Sequence, residues 1–301
     1  MLRPSVPAMD ARLGVEHKVL DHGFVRLIDY MGDEAAIVQA ARVSYGAGTK
    51  TPSDDRSLIR YLMRHRHSSP LEMCEIKLHV KLPIFVARQW IRHRTANVNE
   101  ISARYSILDR EFYVPALADI AEQSKNNKQG RGLAMPCHDA AEIQRSFVKH
   151  GDESNFVYRD LLNETSDENG TPADQDRPML ARELARCNLT LGHYTQWYWK
   201  IDLHNLLHFL SLRLDPHAQL EIRRYADVIW GMVRSWVPAV AEAFEDYRLR
   251  AVTFSRQEQV VLRRMLSEVL DPEIAAVASE AKMSKREIEE FKSKIAKIQE
   301  V

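Results

Sequence analysis

"EIKLHVKLPIFVARQWIRHR" (Glu75–Arg94) carries two periodicities back to back. In the first half, Ile76, Leu78, Val80 and Leu82 alternate with Lys77, His79 and Lys81. A period of two puts the apolar set on one face of a half-buried strand. At Pro83 the pattern changes. Proline is tolerated in a first helical turn, where its missing N–H has no partner to lose, so a helix is expected from Pro83 to Arg94. Strands and helices are mixed along the rest of the chain without regular alternation. That predicts an α+β fold, a mixed or antiparallel sheet flanked by helices, rather than a doubly wound sheet.

Upstream, "GFVRLIDYM" (23–31) reads as a strand and "DEAAIVQAARVSYG" (33–46) as a helix capped by Asp33. The helix "DDRSLIRYLMRHRH" (54–67) has Leu58, Tyr61 and Leu62 at the spacing of a buried stripe. Downstream, polar segments at 119–132 and 163–178 read as loops around a helix at about 138–163. From Pro178 to Leu214 the pattern is apolar and reads as helical. Asp215 and Pro216 then cap a helix running through Trp236, which Pro238 interrupts. Three segments are expected: a flexible lead-in (1–18), a catalytic domain (19–250) and a charged helical extension (251–301) ending in "SKREIEEFKSKIAKIQE".

At 301 residues and 45% hydrophobic content the chain can bury a substantial core. Lys+Arg and Asp+Glu both total 42, so no global positive field favours nucleic acid, and any anion site must be local. Cys74, Cys137 and Cys187 form no C-x-x-C pair. This argues against a disulfide framework or thiolate zinc and fits a reducing cytoplasm, with packing as the expected role of all three. The start "MLRPSVPAMDARLG" lacks a signal-peptide core and no run of about 18 apolar residues occurs, so neither export nor a membrane span is expected.

The charge that does concentrate lies in "RHRTANVNEISARYS" (Arg92–Ser106). If Arg92 and Arg94 are helical they project in different directions and serve different anionic partners. If "NEISARY" is extended, Glu100, Ser102 and Arg104 share one face and offer an acceptor, a hydroxyl and a forked donor. The competing reading is a solvated salt-bridge patch. A second competitor lies elsewhere: His204 and His208, four apart on a helix, with Asp202 or His217, have the spacing of a metal site for a metal-dependent nucleotide hydrolase. The sequence lacks the glutamate of H-E-x-x-H. A non-catalytic RNA or nucleotide binder is a third class, opposed by the balanced charge and the lack of an RNP-like aromatic motif.

Residues 92–105 resemble RHRxxSxNExSxRY, the signature of flavin-dependent thymidylate synthases. Arg92, His93, Arg94, Asn99, Glu100, Ser102, Arg104 and Tyr105 match, and Asn97 stands where the pattern has serine. "RVSYG" (42–46), "RHRHSSPLE" (64–72), "LARCNLTLGHYTQWYWKIDLHNLLHFL" and "LRLDPHAQLEIRRYA" are similar to further family segments in family order, so the resemblance spans about residues 20–240. It implies a thymidylate-synthase-complementing fold, not a Rossmann one, in keeping with the absence of G-x-G-x-x-G. It also implies a methyltransferase that converts dUMP to dTMP, with 5,10-methylenetetrahydrofolate as carbon donor and FAD reduced by NADPH as hydride carrier.

The resemblance further implies a homotetramer with sites shared between chains; from the residues themselves a cytoplasmic protein with no metal, nucleic acid or membrane partner is expected. Gln89, Trp90, Ile91, Arg92, Glu100, Ile101, Ser102, Ala103, Arg104 and Arg186 would bind dUMP. His67, Ser69, Arg92, His93, Arg94, Glu100, Asp202, Leu203, His204 and His208 would bind FAD. Arg213, in "LSLRLD", would be catalytic, helping to ionise N3 of the uracil and so activating C5.

Overall fold

The computed structural model describes residues 4–43, 53–125, 128, 130–164, 172–265 and 271–300. The last three residues of "RVSYG" and much of the 163–178 segment lie outside them. Two compact units emerge, Met1–Leu249 and Arg250–Val301.

In the first unit the chain runs α1 (Pro7–Asp10), β1 (Glu16–Val19), β2 (Gly23–Met31), α2 (Glu34–Val43), α3 (Ser53–Arg64), β3 (Glu75–Pro83), α4 (Ile84–Trp90) and β4 (Asn97–Glu100). It continues through β5 (Ala121–Gln123), β6 (Arg131–Ala134), α5 (Cys137–Leu161), α6 (Arg182–Ala185), β7 (Tyr194–Asp202), α7 (Leu203–Arg213), α8 (Leu220–Trp236) and α9 (Pro238–Phe244). Strands β1, β2, β3, β7 and β4 form one sheet in that order, every pair antiparallel. The α+β architecture is therefore as the alternation around Glu75–Arg94 predicts.

Ile76, Leu78, Val80 and Leu82 of β3 are all 0% exposed. Beside them lie Val25 and Leu27 of β2 and Trp197, Trp199 and Ile201 of β7, and the apolar face of α8 (Ile222, Tyr225, Ala226, Ile229, Met232, Val233 and Trp236) belongs to the same core. Trp90, at the end of α4, sits 4.8–5.9 Å (ring centroids) from Phe209, Trp199, Trp197 and Tyr225. Each such aromatic contributes about 2–3 kcal/mol by leaving water, so this cluster is the anchor that fixes α4 against the sheet.

Five expectations are corrected. The segment 178–214 is not one helix: residues 194–202 form strand β7, paired with β3 from Glu75↔Asp202 to Pro83↔Tyr194. The loop at 119–132 contains the hairpin β5–β6. Pro83 precedes the first turn of α4 rather than lying within it, and Asp215 caps a local turn, accepting from the His217 N–H at 2.7 Å, while α8 begins only at Leu220. The lead-in is docked: Met9 is buried, and Tyr30 ties it down by donating to Asp10 Oδ1 (2.5 Å) and accepting from the Val6 N–H (2.7 Å).

Asp33 does cap α2, its Oδ1 accepting from the Ala36 N–H at 2.9 Å. Cys74 is buried as expected, but Cys137 and Cys187 are exposed, because each lies in the first turns of a surface element. No helix among the described residues is long and apolar enough to cross a membrane.

The second unit holds α10 (Arg256–Met265), α11 (Asp271–Glu280) and α12 (Lys285–Glu300). Ser255 with Glu258, and Ser284 with Glu287, form reciprocal capping boxes that start α10 and α12. Among its described residues, Ile274, Ala278 and Ile288 are the buried apolar ones.

Candidate active site

Helix α7 follows β7 directly, with Asp202 as its cap: Oδ1 accepts from the Asn205 N–H at 2.9 Å and Oδ2 from the Asn205 side chain at 2.6 Å. From there α7 runs about 16 Å to Arg213, which reaches the end of α4. Arg213 Nε donates to His93 Nε2 at 3.1 Å, and Nη2 donates to the Gln89 carbonyl at 3.5 Å. An acceptor at Nε2 requires a neutral ring. Burial, with the charges of Arg213 and His208 beside it, pushes the His93 imidazole down to about 4, so the ring is neutral near pH 7. Burial alone lowers the Arg213 guanidinium from its ordinary range, and it remains a cation.

Two clefts are formed by the elements that make this contact, one lined by α7 and one by α4. The first is lined by Leu62, Met63, Arg66, His67, Ser68 and Leu71 after α3, by His204, Leu207, His208 and Ser211 on α7, and by Phe244 and Arg248. Three residues expected to hold flavin, His67, His204 and His208, meet here. None of the described lining residues is acidic, so the cleft suits an anionic ligand. The His93 ring lies 6.0 Å from that of His208. Ser69 does not line it, and the neighbouring Ser68 does.

The second cleft lies between α4, β4 and the start of β7. Ile91, Glu100, Ile101, Ala103 and Arg186, all expected to hold nucleotide, line it together with Arg88, Thr190, Thr195 and Trp197. Thr195 Oγ1 donates to Glu100 Oε1 at 2.6 Å, which fixes the carboxylate that the motif places there.

Several expected residues stand elsewhere or act differently. Trp90 and Leu203 are fully buried core residues, and the Asp202 carboxylate is occupied in capping, so these three shape the site rather than offering side chains to it. Helix α4 stops at Trp90, leaving Arg92, His93 and Arg94 in the turn before β4, because the chain must reverse to pair with β7. Glu100, Ser102 and Arg104 do not share one strand face. The β4 ladder ends at Glu100, with one further bond from the Ile101 N–H to the Gln196 carbonyl of β7 at 2.9 Å, and the chain turns at Ser102, whose carbonyl accepts from the Tyr105 and Ser106 N–H groups at 3.0 Å and whose Oγ accepts from the Arg104 N–H at 3.3 Å. Arg104 makes an exposed 3.7 Å ion pair with Glu183, weak enough to be exchanged for a ligand, and lies 6.0 Å from the Tyr105 ring centroid. Arg92 and Arg94 are exposed with no ion-pair partner among the described residues.

A supporting network was not legible. Gln89 donates to Gln219, Gln219 donates to Glu221 Oε2 at 2.9 Å, Tyr113 donates to Glu221 Oε1 at 3.0 Å, and Arg131 from the β5–β6 hairpin ion-pairs with the same carboxylate. Glu221 is 1% exposed, and its carboxyl is held below its ordinary range: burial opposes that shift, and Arg131 with Gln219 outweighs it. Only an acid within the apolar stripe of α8 hinted at this in the sequence.

The metal reading finds no third ligand. Among the described residues no group of three or more His, Cys, Asp and Glu is placed to hold a metal; Asp202 is engaged by Asn205, and His217 Nδ1 pairs with Asp215 at 2.9 Å.

The sequence pattern of the thymidylate synthase complementing protein family matches residues 26–239. A flavin-dependent thymidylate synthase of Gluconobacter oxydans (strain 621H) is 58% identical over 265 residues, which is 88% of this chain and 84% of the relative. Another, of Ruegeria pomeroyi (strain ATCC 700808 / DSM 15171 / DSS-3), is 55% identical over 292 residues, 97% of this chain and 91% of the relative. Among solved structures, the UMP/dUMP methylase PolB of Streptomyces cacaoi bound with 5-Br dUMP is similar with a TM-score of 0.66 and 30% identity, covering 77% of this chain and 99% of that one.

Proposed function

The chain belongs to the thymidylate synthase complementing protein family, and from that membership we propose that it is a flavin-dependent thymidylate synthase, a methyltransferase converting dUMP to dTMP. When bound, FAD reduced by NADPH supplies the hydride, and 5,10-methylenetetrahydrofolate supplies the carbon. The chain supplies orientation and charge.

One observation carries the reading. Arg213 is held against the neutral His93 ring, which stands 6.0 Å from His208 in the cleft that gathers three expected flavin residues, and it reaches the Gln89 carbonyl of α4, the helix that lines the cleft gathering expected nucleotide residues. Its guanidinium, half-buried and always charged, favours loss of the proton from uracil N3; the resulting anion makes C5 the nucleophile. His93 keeps Arg213 aimed by accepting at Nε2. Glu100, fixed by Thr195, offers an acceptor to the nucleotide, and Arg186, with Arg104 released from Glu183, offers forked donors for the phosphate. His67, His204 and His208 hold the flavin. Ser69 adds to them through the backbone of its turn, as Asp202 and Leu203 do through the first turn of α7.

The functional domain in this reading is 19–250, with no catalytic part for the extension. Arg92 and Arg94, exposed and unpaired among the described residues, fit ligands or a neighbouring subunit in a cytoplasmic homotetramer with shared sites. The spectrum of the purified protein tests the reading. A yellow protein whose flavin absorbance is bleached by NADPH is expected; a colourless protein holding stoichiometric zinc would refute it.

A further inference from the structure

We propose that Arg66 and Arg248, both on the wall of the first cleft, form a two-arginine clamp for a phosphoryl group of a bound dinucleotide. Neither residue belongs to the signature or to the expected flavin set, and the inference rests on the dinucleotide reading of that cleft.

Both residues line the cleft, no acidic residue is among its described lining, and neither has an ion-pair partner among the described residues. Burial and the nearby Arg66 charge lower the Arg248 guanidinium from its ordinary range, the mark of two cations kept close without a counter-ion. Such repulsion is relieved by an anion between them, and a phosphoryl group presents oxygens to two forks at once.

The backbone at each residue is unusual in a way that favours a ligand role. Arg66 closes α3 in a Schellman motif: the His67 N–H donates to the Leu62 carbonyl at 2.9 Å and the Arg66 N–H to Met63 at 3.3 Å. The closing residue sits at φ 60, the left-handed conformation that glycine adopts freely and arginine does not. Helix stability would be served better by glycine, so the side chain has to be the reason for an arginine. Arg248 comes from a π-helical turn, Glu245–Leu249, that follows α9. A π-helical turn is a rare widening that is frequent at functional sites.

The test uses the full chain with Arg66→Gly and Arg248→Gln, following FAD dissociation by flavin fluorescence and the preference for NADPH over NADH in flavin reduction. Each arginine donates charge-assisted hydrogen bonds, so each variant is expected to weaken the bound phosphoryl group by roughly ten- to a hundred-fold. If the pyrophosphate of FAD is held, the FAD dissociation constant rises by that factor. If the 2′-phosphate of NADPH is held, FAD affinity stays and the NADPH preference falls instead. Arg66→Gly should meanwhile unfold at or above the parent's temperature, which a purely structural arginine would not allow.

Folded variants that match the parent in both readouts, or that change only the KM for dUMP, overturn the clamp. A parent that binds no flavin refutes the dinucleotide reading itself. Inorganic pyrophosphate then decides the clamp: thermal protection of the parent but not of the variants supports it, and equal protection contradicts it.

Discussion

Arg213 and His93 are a charge and an uncharged acceptor, and the pairing has consequences at the bench. Arg213→Ala removes the cation proposed to act on uracil N3 while leaving the lining of both clefts unchanged. FAD binding is expected to persist and dTMP formation to fall by about a hundred-fold or more; near-normal turnover would refute the assignment. The His93 ring ionises at about 4 in the folded chain, below its ordinary 6.5. The unfolded chain therefore binds more protons between those values, so stability rises with pH across that window and is flat above it. Between pH 7 and 5, His93 should cost the fold about 1–2 kcal/mol, allowing for solvent screening. His17, His79 and His193 are lowered too, each first by burial. His93→Asn, which keeps an acceptor for Arg213, should thus shrink but not abolish the fall in urea midpoint; an undiminished fall would contradict the neutral-ring assignment. At this scale the residue types were legible because the motif specifies them, whereas the Arg213–His93 bond joins positions 120 apart and leaves no local trace.

At the scale of elements, α7 depends on its cap and α4 on its support. Asp202→Ala should destabilise the first unit by about 1 kcal/mol, lowering the melting temperature by about 2–4 °C, with Asp202→Ser restoring most of it. No change on removing the carboxylate would mean that the Asn205 contacts do not cap. Arg131→Ala leaves the buried Glu221 without its cation. It should cost about 1–3 kcal/mol and raise the KM for dUMP, because Gln219 and Gln89 lose their fixed partner; a stability loss with unaltered KM would limit the hairpin to a structural part. Strand β3 was legible from its strict alternation. Strand β7 was not: Trp197, Trp199 and Ile201 do alternate, but Tyr198 on the other face is also aromatic, and no glycine or proline separates the strand from α7. An apolar run without punctuation reads as one helix. The end of α4 was misjudged for a related reason. Only pairing of Asn97–Glu100 with β7, a long-range contact, explains why the helix stops at Trp90.

For the whole molecule, the two clefts and the Arg213–His93 contact all lie within Met1–Leu249. A chain ending at Leu249 is expected to unfold cooperatively and retain flavin; loss of flavin with the fold intact would give the last fifty residues a part in the site. Light scattering should report four chains, and a fully active monomer would overturn the sharing of sites. The most direct measurement is mass-spectrometric detection of dTMP after the purified protein is incubated with dUMP, 5,10-methylenetetrahydrofolate, FAD and NADPH. Product that depends on added folate and NADPH and disappears in Arg213→Ala is the predicted result. Intact dUMP with the flavin bound and reduced would contradict the proposed reaction.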